Sequence, residues 1–574
     1  MNSKQNESHD INIVDARKSV EIHLADGRII SGPRGTSLEK FFKIMPEWTT
    51  EALMGAIVNS ELRELTFPVK MDSYVTPISM RDADGARIYR RSVTFLVEAA
   101  YEELFPGSYL TVDHSIASGG YFCEVEGRDP LTIEEIKLLE SHMRHLTDAD
   151  LPFERSQIPL EEAIEIFCRK NQTDKVELLK YRQKKYLVVY KLGDHQDYHH
   201  GYMVPSTGYL KWYDLQKFGN GFALRFPRRN SPTTLESLTG TKGLLDTYQQ
   251  YGDWLERLGI NHVGQLNKSI NEKNIREVVL ISEALHEQKI SDIATRIITD
   301  PRNRKIVLIA GPSSSGKTTF SKRLSIQLLA QGIEPFAIEL DNYFVDRENT
   351  PKDENGEFDF EAISAVKVDL LSRHLQDLIN GKEVQLPKYD FKVGKGGTGE
   401  IIKLHKDQVL ILEGIHGLNP ALLPGISSDT LYRIYASCLT QLNLDRYNRI
   451  STTDTRLIRR IVRDARERGY SARDTIQRWD SVMRGEKRYI FPFQEHADEM
   501  FNSALVFEIS ALKSLVEPLL RQVPFGTHEY IEAKRLLAFI EWFLPMDIDI
   551  IPDNSILREF VGNSILKNYK AWGH

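Results

Sequence analysis

Four residues at fixed spacing carry the first chemistry in this chain. Gly311, Gly316, Lys317 and Thr318 satisfy G-x-x-x-x-G-K-[ST] without a substitution. Glycines let successive backbone N–H groups curl around a phosphate, and the helix that follows directs its positive end at the same anion. Gly311, Pro312, Ser313, Ser314, Ser315, Gly316, Lys317, Thr318 and Thr319 are therefore expected to cradle the phosphates of a nucleoside triphosphate. Lys317 would reach the outer phosphates, and the Thr318 hydroxyl would ligate Mg²⁺. A serine-rich surface turn is the plainer alternative. It accounts neither for the apolar strand KIVLIA ahead of the loop nor for Phe320, Leu324 and Leu328 at helical spacing behind it. Gly332 supplies the stop.

A phosphate cradle leaves GTPases, ATPase motors and small-molecule kinases open, so the segments after it decide. No N-K-x-D element for reading guanine follows residue 318. The next strand, EPFAIEL, ends in Asp341, where a carboxylate can take the proton of an acceptor hydroxyl beside the γ-phosphate. The strand QVLILEG ends in Glu413, placed to hold Mg²⁺. Each carboxylate is also compatible with an ordinary strand end. In residues 454–474, Arg456, Arg459, Arg460 and Arg463 share one helical face and Arg468 precedes a glycine. Alone this reads as a solvated basic helix or an RNA contact. Beside a phosphate cradle it reads as a lid whose guanidinium groups clamp the transferring phosphoryl group and exclude water.

The elements that position these residues fit a chain of several domains. At 574 residues it is too long for one core. Its 41% hydrophobic and 27% charged content is that of a globular protein, and a net charge of −7 argues against wholesale coating of nucleic acid. Cys123, Cys168 and Cys438 are scattered, as suits a reducing compartment. The polar start lacks a secretory h-region and no apolar run is long enough to span a membrane, so a cytoplasmic location is expected. Residues 1–17 read as a disordered tail, 18–80 as a small α+β unit with a hairpin at Asp26–Gly27 and a helix capped by Thr36 or Ser37, and 81–228 as a mixed region with a helix at 93–104 and a strand at YLVVYKL. Residues 229–300 read as a helical connector, 301–510 as an α/β domain with a parallel sheet flanked by helices, and 511–574 as C-terminal helices, the last capped by Asn554 or Ser555.

Residues 303–510 resemble the uridine–cytidine kinases of the phosphoribulokinase/uridine kinase group. The shared motifs run in order: GPSSSGKT, LDNYF, EFDF at 357–360, LPKYDF at 386–391, LEGIHGL at 412–418, the arginine segment, and a closing segment at 477–505. The resemblance implies Asp341 as general base for a 5′-hydroxyl, Lys317, Arg456 and Arg459 as catalytic cations, and Thr318 with Glu413 as the Mg²⁺ site. It further implies Asp359 on the ribose hydroxyls, Tyr389 and Phe391 around the base, and Arg468 on the ribose side. One position departs: where the family carries a base-reading histidine, this chain has Gly394. Loss of a polar reader can change specificity by orders of magnitude.

Residues 20–228 resemble the N-terminal part of threonyl-tRNA synthetase, a TGS-like unit followed by the domain that edits misacylated tRNA. The resembling pieces are LADGRIISGPRGTSLEKF, DADGARIYRRSVTFLVEAAYEELFP and GDHQDYHHGYMVPSTGYLKWYDL. The synthetase pocket uses H-x-x-x-H and C-x-x-x-H, and those positions here are Arg91, Phe95, His199 and Met203. Three of the four are poor ligands, so metal-dependent or synthetase-like editing is not expected. His195, His199 and His200, clustered in sequence, then read first as surface-loop histidines, with the lining of a vestigial pocket as the alternative. An RNA, a metabolite or a partner could still bind this half, although no basic-aromatic stripe favours RNA.

The sequence thus predicts an ATP- and Mg²⁺-dependent kinase acting on a nucleoside, uridine or cytidine first, with transfer to its 5′-hydroxyl. The alternatives are a kinase of the same group acting on another nucleoside, a sugar phosphate or pantothenate, and a nucleotide-switched RNA-binding or regulatory protein. The preferred base, ATP against GTP as donor, and the oligomeric state are not fixed by these residues.

Overall fold

The computed structural model describes residues 15 and 17–570, apart from 117, 239–241, 303, 353–355, 357, 391–392, 406–407 and 441. The expected tail lies almost wholly outside the described residues, and so does Phe391.

Alternation in VEIHL gives an antiparallel pair of Ser19–Leu24 and Ile29–Pro33 with Ile22 opposite Ile30, and Gly27 turns the corner at φ +87°. Three further strands complete a sheet in the order Ile29–Pro33, Ser19–Leu24, Ser73–Ser79, Leu53–Val58, Glu61–Glu64. Helix Leu38–Phe42 covers it with Leu38, Phe41 and Phe42; Ser37 is its N-cap but makes no side-chain cap bond. The helix expected at 93–104 begins earlier and spans Ala83–Leu104. Its D-G pair does not stop it, because Gly85 serves close packing: a Cβ there would meet Ser79 O at 1.9 Å. A four-stranded antiparallel sheet and a three-stranded one, in which Tyr186–Leu192 lies between His195–Asp197 and Glu154–Pro159, form the rest of the first half.

Residues after 241 form the helices Lys242–Leu258, Val263–Asn271 and Ile275–Thr299. Ile275–Thr299 packs on the helix that follows the phosphate loop, where Arg323 bridges Glu283 at 3.2 Å and Glu287 at 2.6 Å.

The C-terminal half is built on five parallel strands in the order Glu334–Glu339, Gln408–Glu413, Ile306–Ala310, Leu431–Ser437, Glu499–Asn502. Runs such as IVLIA, buried at every position, are what a parallel strand covered on both faces requires. Helices Lys317–Ala330 and Thr452–Arg468 add Phe320, Leu324, Leu457 and Ile461 to that core. A hairpin, Val384–Asp390 with Lys395–Ile402, stands apart from the sheet. Helices Glu508–Arg521, His528–Ile540 and the short Arg558–Val561 end the fold; Ser555 Oγ accepts from Leu557 N just ahead of the last. No described helix is long and apolar enough to cross a membrane.

Candidate active site

The loop between strand Ile306–Ala310 and helix Lys317–Ala330 has its shape imposed by its neighbours. A Cβ on Gly311 would meet Ala436 O of the adjacent strand at 1.9 Å, and Gly316 adopts φ +83°. Ser314 is held at φ +57° without being glycine. The hydroxyls of Ser314 and Ser315 are buried with no hydrogen-bond partner among the described residues, and Lys317 Nζ donates to Pro312 O at 3.1 Å. Unsatisfied donors around a cationic loop fit a phosphate group.

Two arginines hold the outer side of this loop. Arg456 Nε donates to Ser313 O at 2.9 Å and pairs with Glu486, which also accepts from Ser313 N at 2.8 Å. Arg459 pairs with Glu508 at 2.5 Å and donates to Ser314 O at 3.4 Å and Ser503 O at 2.9 Å. Both side chains are buried. This differs from the expected lid. The apolar face of Thr452–Arg468 is part of the core, so the helix is packed beneath the loop and these two guanidinium groups position it. Arg460, which the spacing placed on the same face but did not single out as a site residue, reaches Ser313 Oγ at 2.8 Å. Arg468, at the open end of the helix, bridges Asp464 at 3.3 Å.

Asp341 and Glu413 stand at the ends of adjacent parallel strands. Thr318 Oγ1 donates to Glu413 Oε2 at 3.2 Å. A hydroxyl and a carboxylate together are the hard oxygen donors that Mg²⁺ takes, so these residues fit the cation. Burial pushes Glu413 up to about 7, with Asp341 adding to the push and Lys317 opposing it. Surrounding protein also raises Asp341, again against Lys317. Asp341 is nevertheless open to the water of the cleft, which tempers that rise until substrate covers it. Glu361, not anticipated from the sequence, is likewise pushed up to about 7 by burial and by Glu486.

Among the residues expected to meet the acceptor, Asp359 Oδ2 accepts from Tyr489 OH at 3.0 Å and Oδ1 from Glu361 N at 3.1 Å. Tyr389 is buried on the hairpin, its N–H donating to Asn342 Oδ1 beside Asp341, and its ring lies edge-on to Phe344. Gly394 turns the hairpin at φ +77°, and its carbonyl accepts from Arg347 N at 2.8 Å. A Cβ there would meet the Arg347 side chain at 2.9 Å. The space beside the departing position is thus taken by a guanidinium.

The C-terminal segment is a feature the motifs did not announce. Glu559 Oε2 accepts from Thr319 N at 3.3 Å and Thr319 Oγ1 at 3.0 Å, and Lys322 Nζ donates to Leu566 O at 2.7 Å. Ile556 packs against Gly316 closely enough that a Cβ would meet it at 2.5 Å. A carboxylate therefore occupies donors in the first turn of the helix that should face phosphate.

In the first half, the positions aligned with the synthetase pocket do gather. Phe95 lies edge-on to His195 and His199 with ring centroids 4.8 and 5.6 Å away, Arg91 donates to Tyr202 O, and Met203 is buried in the same core as Phe95. The expectation of surface histidines is corrected here: His195 and His199 are buried, and burial pushes His200 down to about 3. The reason is the long helix Ala83–Leu104, whose buried Glu98 and half-exposed Glu102 supply carboxylate partners that a polar loop would lack.

Residues 306–510 match the model of the Phosphoribulokinase / Uridine kinase family. The N-terminal part is similar to threonine–tRNA ligases. The enzyme of Desulforamulus reducens is 27% identical over 204 residues, covering 35% of this chain and 32% of that one. The enzyme of Halorhodospira halophila is 31% identical over 173 residues, covering 30% and 27%. The matched stretch is about a third of the length of these curated relatives. Among solved structures, a possible uridine kinase from Bacillus stearothermophilus shares 24% identity at a TM-score of 0.23, covering 26% of this chain and 79% of that one. Phosphoribulokinase from Rhodobacter spheroides shares 18% identity at 0.24, covering 35% and 70%. The family match and the parallel sheet flanked by helices assign a P-loop kinase fold to residues 306–510.

Two outcomes follow from this geometry. Glu559→Gln removes a negative charge from the phosphate donors and should tighten ATP binding about fivefold, the equivalent of about 1 kcal/mol. Calorimetric titration giving unchanged or weaker binding would show that the carboxylate is not in the way. Glu361 and Glu413 have folded pKa values raised from 4.5 to about 7. Their stabilising contribution is complete below about 4.5 and lost as pH rises through 7. The melting temperature of nucleotide-free Glu413→Gln, taken relative to the wild type at each pH, should therefore rise between pH 5 and 8, because only the wild type loses this contribution. A difference that is flat or falling over that range would contradict the assignment.

Proposed function

We propose that this chain transfers the γ-phosphoryl group of ATP to the 5′-hydroxyl of a nucleoside, with uridine and cytidine as the first candidates. The observation that carries the reading is the meeting of Asp341, Glu413 and the Lys317 loop at the ends of neighbouring strands, with Tyr389 tied to Asn342 beside them.

In this mechanism Asp341 accepts the proton of the acceptor hydroxyl as its oxygen bonds to phosphorus. The bond from phosphorus to the bridging oxygen breaks, and ADP leaves with that oxygen. Lys317 turns from Pro312 O to the outer phosphates. The loop N–H groups stay aimed at the developing charge because Arg456 and Arg459 hold the carbonyls behind them. Mg²⁺ bound at Thr318 and Glu413 would neutralise phosphate charge. Asp359 would orient the ribose, with Tyr489 holding the carboxylate in place, and Tyr389 would lie against the base. Arg468, at the open end of its helix, would contact the ribose.

Arg347 keeps a second acceptor class in view. A guanidinium offers only donors, so it suits the carbonyl oxygens of a pyrimidine or the phosphate of a sugar phosphate.

Asp341→Asn should retain ATP binding and lose at least about a hundredfold in kcat, measured as ADP formed with saturating nucleoside. Near-normal turnover would end the general-base assignment. Arg347→Ala should raise KM for the acceptor about tenfold and leave KM for ATP unchanged. A panel of nucleosides and sugar phosphates then separates the readings. Stimulation by uridine or cytidine supports the first, stimulation by a sugar phosphate alone supports the second, and RNA-stimulated hydrolysis without phosphorylated product would overturn both.

A further inference from the structure

The first half holds a buried group of ligand-type side chains that the kinase reaction does not use. Helix Ala83–Leu104 presents Arg91, Phe95, Glu98 and Glu102 along one face, at spacings of four and three residues. Strand His195–Asp197 and the turn after it bring His195, Asp197 and His199 against that face. Glu98, His195 and Asp197 are exposed by 1%, 3% and 0%, and each offers a ligand atom within 4.8 Å of the others. His195 Nε2 lies 3.6 Å from Glu98 Oε2, and His199 Nε2 lies 3.0 Å from Glu98 Oε1.

Two details point to a ligand at this place. Glu102 binds His195 Nδ1, which fixes the ring and aims Nε2 into the group. A carboxylate behind the far nitrogen is the usual support of a metal-binding histidine. His195 Nε2 itself has no hydrogen-bond partner among the described residues, although it is buried. Phe95, edge-on to both histidine rings, gives the group an apolar wall.

Charge balance bears on the same point. Glu98, Asp197 and the partly exposed Glu102 bring three carboxylates together. The ammonium of Lys175, which pairs with Asp197 and lies 4.3 Å from the Tyr447 ring, neutralises one. Lys170, 3.0 Å from Glu102, meets a second at the rim. The remaining negative charge, on Glu98, sits between two histidine nitrogens, where either protons or a dication can balance it. Two imidazoles and carboxylates without a thiolate suit a borderline first-row divalent ion such as Zn²⁺.

We propose that Glu98, His195 and Asp197 bind a divalent transition-metal ion, with His199 completing the set from the other side of Glu98. This is not the set that alignment with the synthetase pocket examines. Of those four positions, Arg91 now covers Gly201 and Phe95 fills the wall, so the ligands lie deeper along the same helix. Lys175 is the competitor for Asp197, so the ion would displace its ammonium or share the carboxylate with it.

The test uses the full-length protein, stripped with a chelator and titrated with Zn²⁺ in the presence of excess Mg²⁺ and ADP to occupy the kinase cleft. The expected result is one equivalent bound, with affinity reduced at least tenfold in both Glu98→Gln and His195→Gln while kinase turnover stays unchanged. Co²⁺ is the second readout, independent of whether the variants fold. Bound to the unmodified protein, it should give the intense visible absorption of a four- or five-coordinate nitrogen–oxygen site. Failure to bind one equivalent, an octahedral Co²⁺ spectrum, or Zn²⁺ binding that survives in two folded variants would overturn the proposal and leave hydrogen-bonded histidine–carboxylate pairs in its place. None of these outcomes bears on the kinase reading, which the acceptor panel tests separately.

Discussion

A loop that turns its N–H groups toward a phosphate must turn carbonyl groups the other way, into protein. That constraint organises the C-terminal half. Ser313 O, Ser314 O and Ser315 O are met by Arg456, Arg459 and the Ser503 hydroxyl. Each guanidinium is itself answered by a buried carboxylate, Glu486 or Glu508. Removing one partner of such a buried pair costs about 3–5 kcal/mol, because the other charge is left uncompensated. The loop is therefore held by two charge pairs that cannot be loosened singly, and the helix carrying the arginines is fixed in the core by Leu457, Ile458 and Ile461.

The same helix ties the site to the first half of the chain. Between strand Leu431–Ser437 and Thr452–Arg468, residues 442–450 dock against the N-terminal half. Arg446 binds Asp174 at 2.8 Å and its carbonyl accepts from Val112 N, while Asn443 donates to Val112 O and Asp445 accepts from Tyr198 OH. Tyr447 belongs to the core of that first half. The C-terminal segment makes a second tie, through Glu559 to Thr319 and Ser555 to Glu283. The phosphate loop is thus bounded by segments from three distant parts of the sequence.

Much of the donor side was legible because its chemistry is local. A strand, a glycine-bounded turn and a helix lie within twenty-five residues, and Asp341 and Glu413 follow from the rule that strand ends line the cleft of a parallel sheet. The arginine helix was legible in spacing but not in role: periodicity shows which residues share a face and says nothing of what that face meets. Glu486, Glu508 and Glu559 carry no local signal, being ordinary acidic residues until the chain folds. The histidines were misplaced for the same reason. A polar stretch reads as surface unless its partners in space, here Glu98 and Glu102 almost a hundred residues earlier, are known.

The sequence by itself determined that this chain carries a complete G-x-x-x-x-G-K-[ST] loop, carboxylates at the ends of the strands EPFAIEL and QVLILEG, and a glycine at position 394. Those features rest on backbone conformations that only certain residues adopt and on strand order set by apolar runs. Tertiary structure alone decided that Arg456 and Arg459 brace the loop, that Arg347 fills the space beside Gly394, and that His195 is sealed against Glu98. Each of these depends on which charge is buried beside which. A buried charge takes its state from its neighbours in space, and spacing along the chain does not record them.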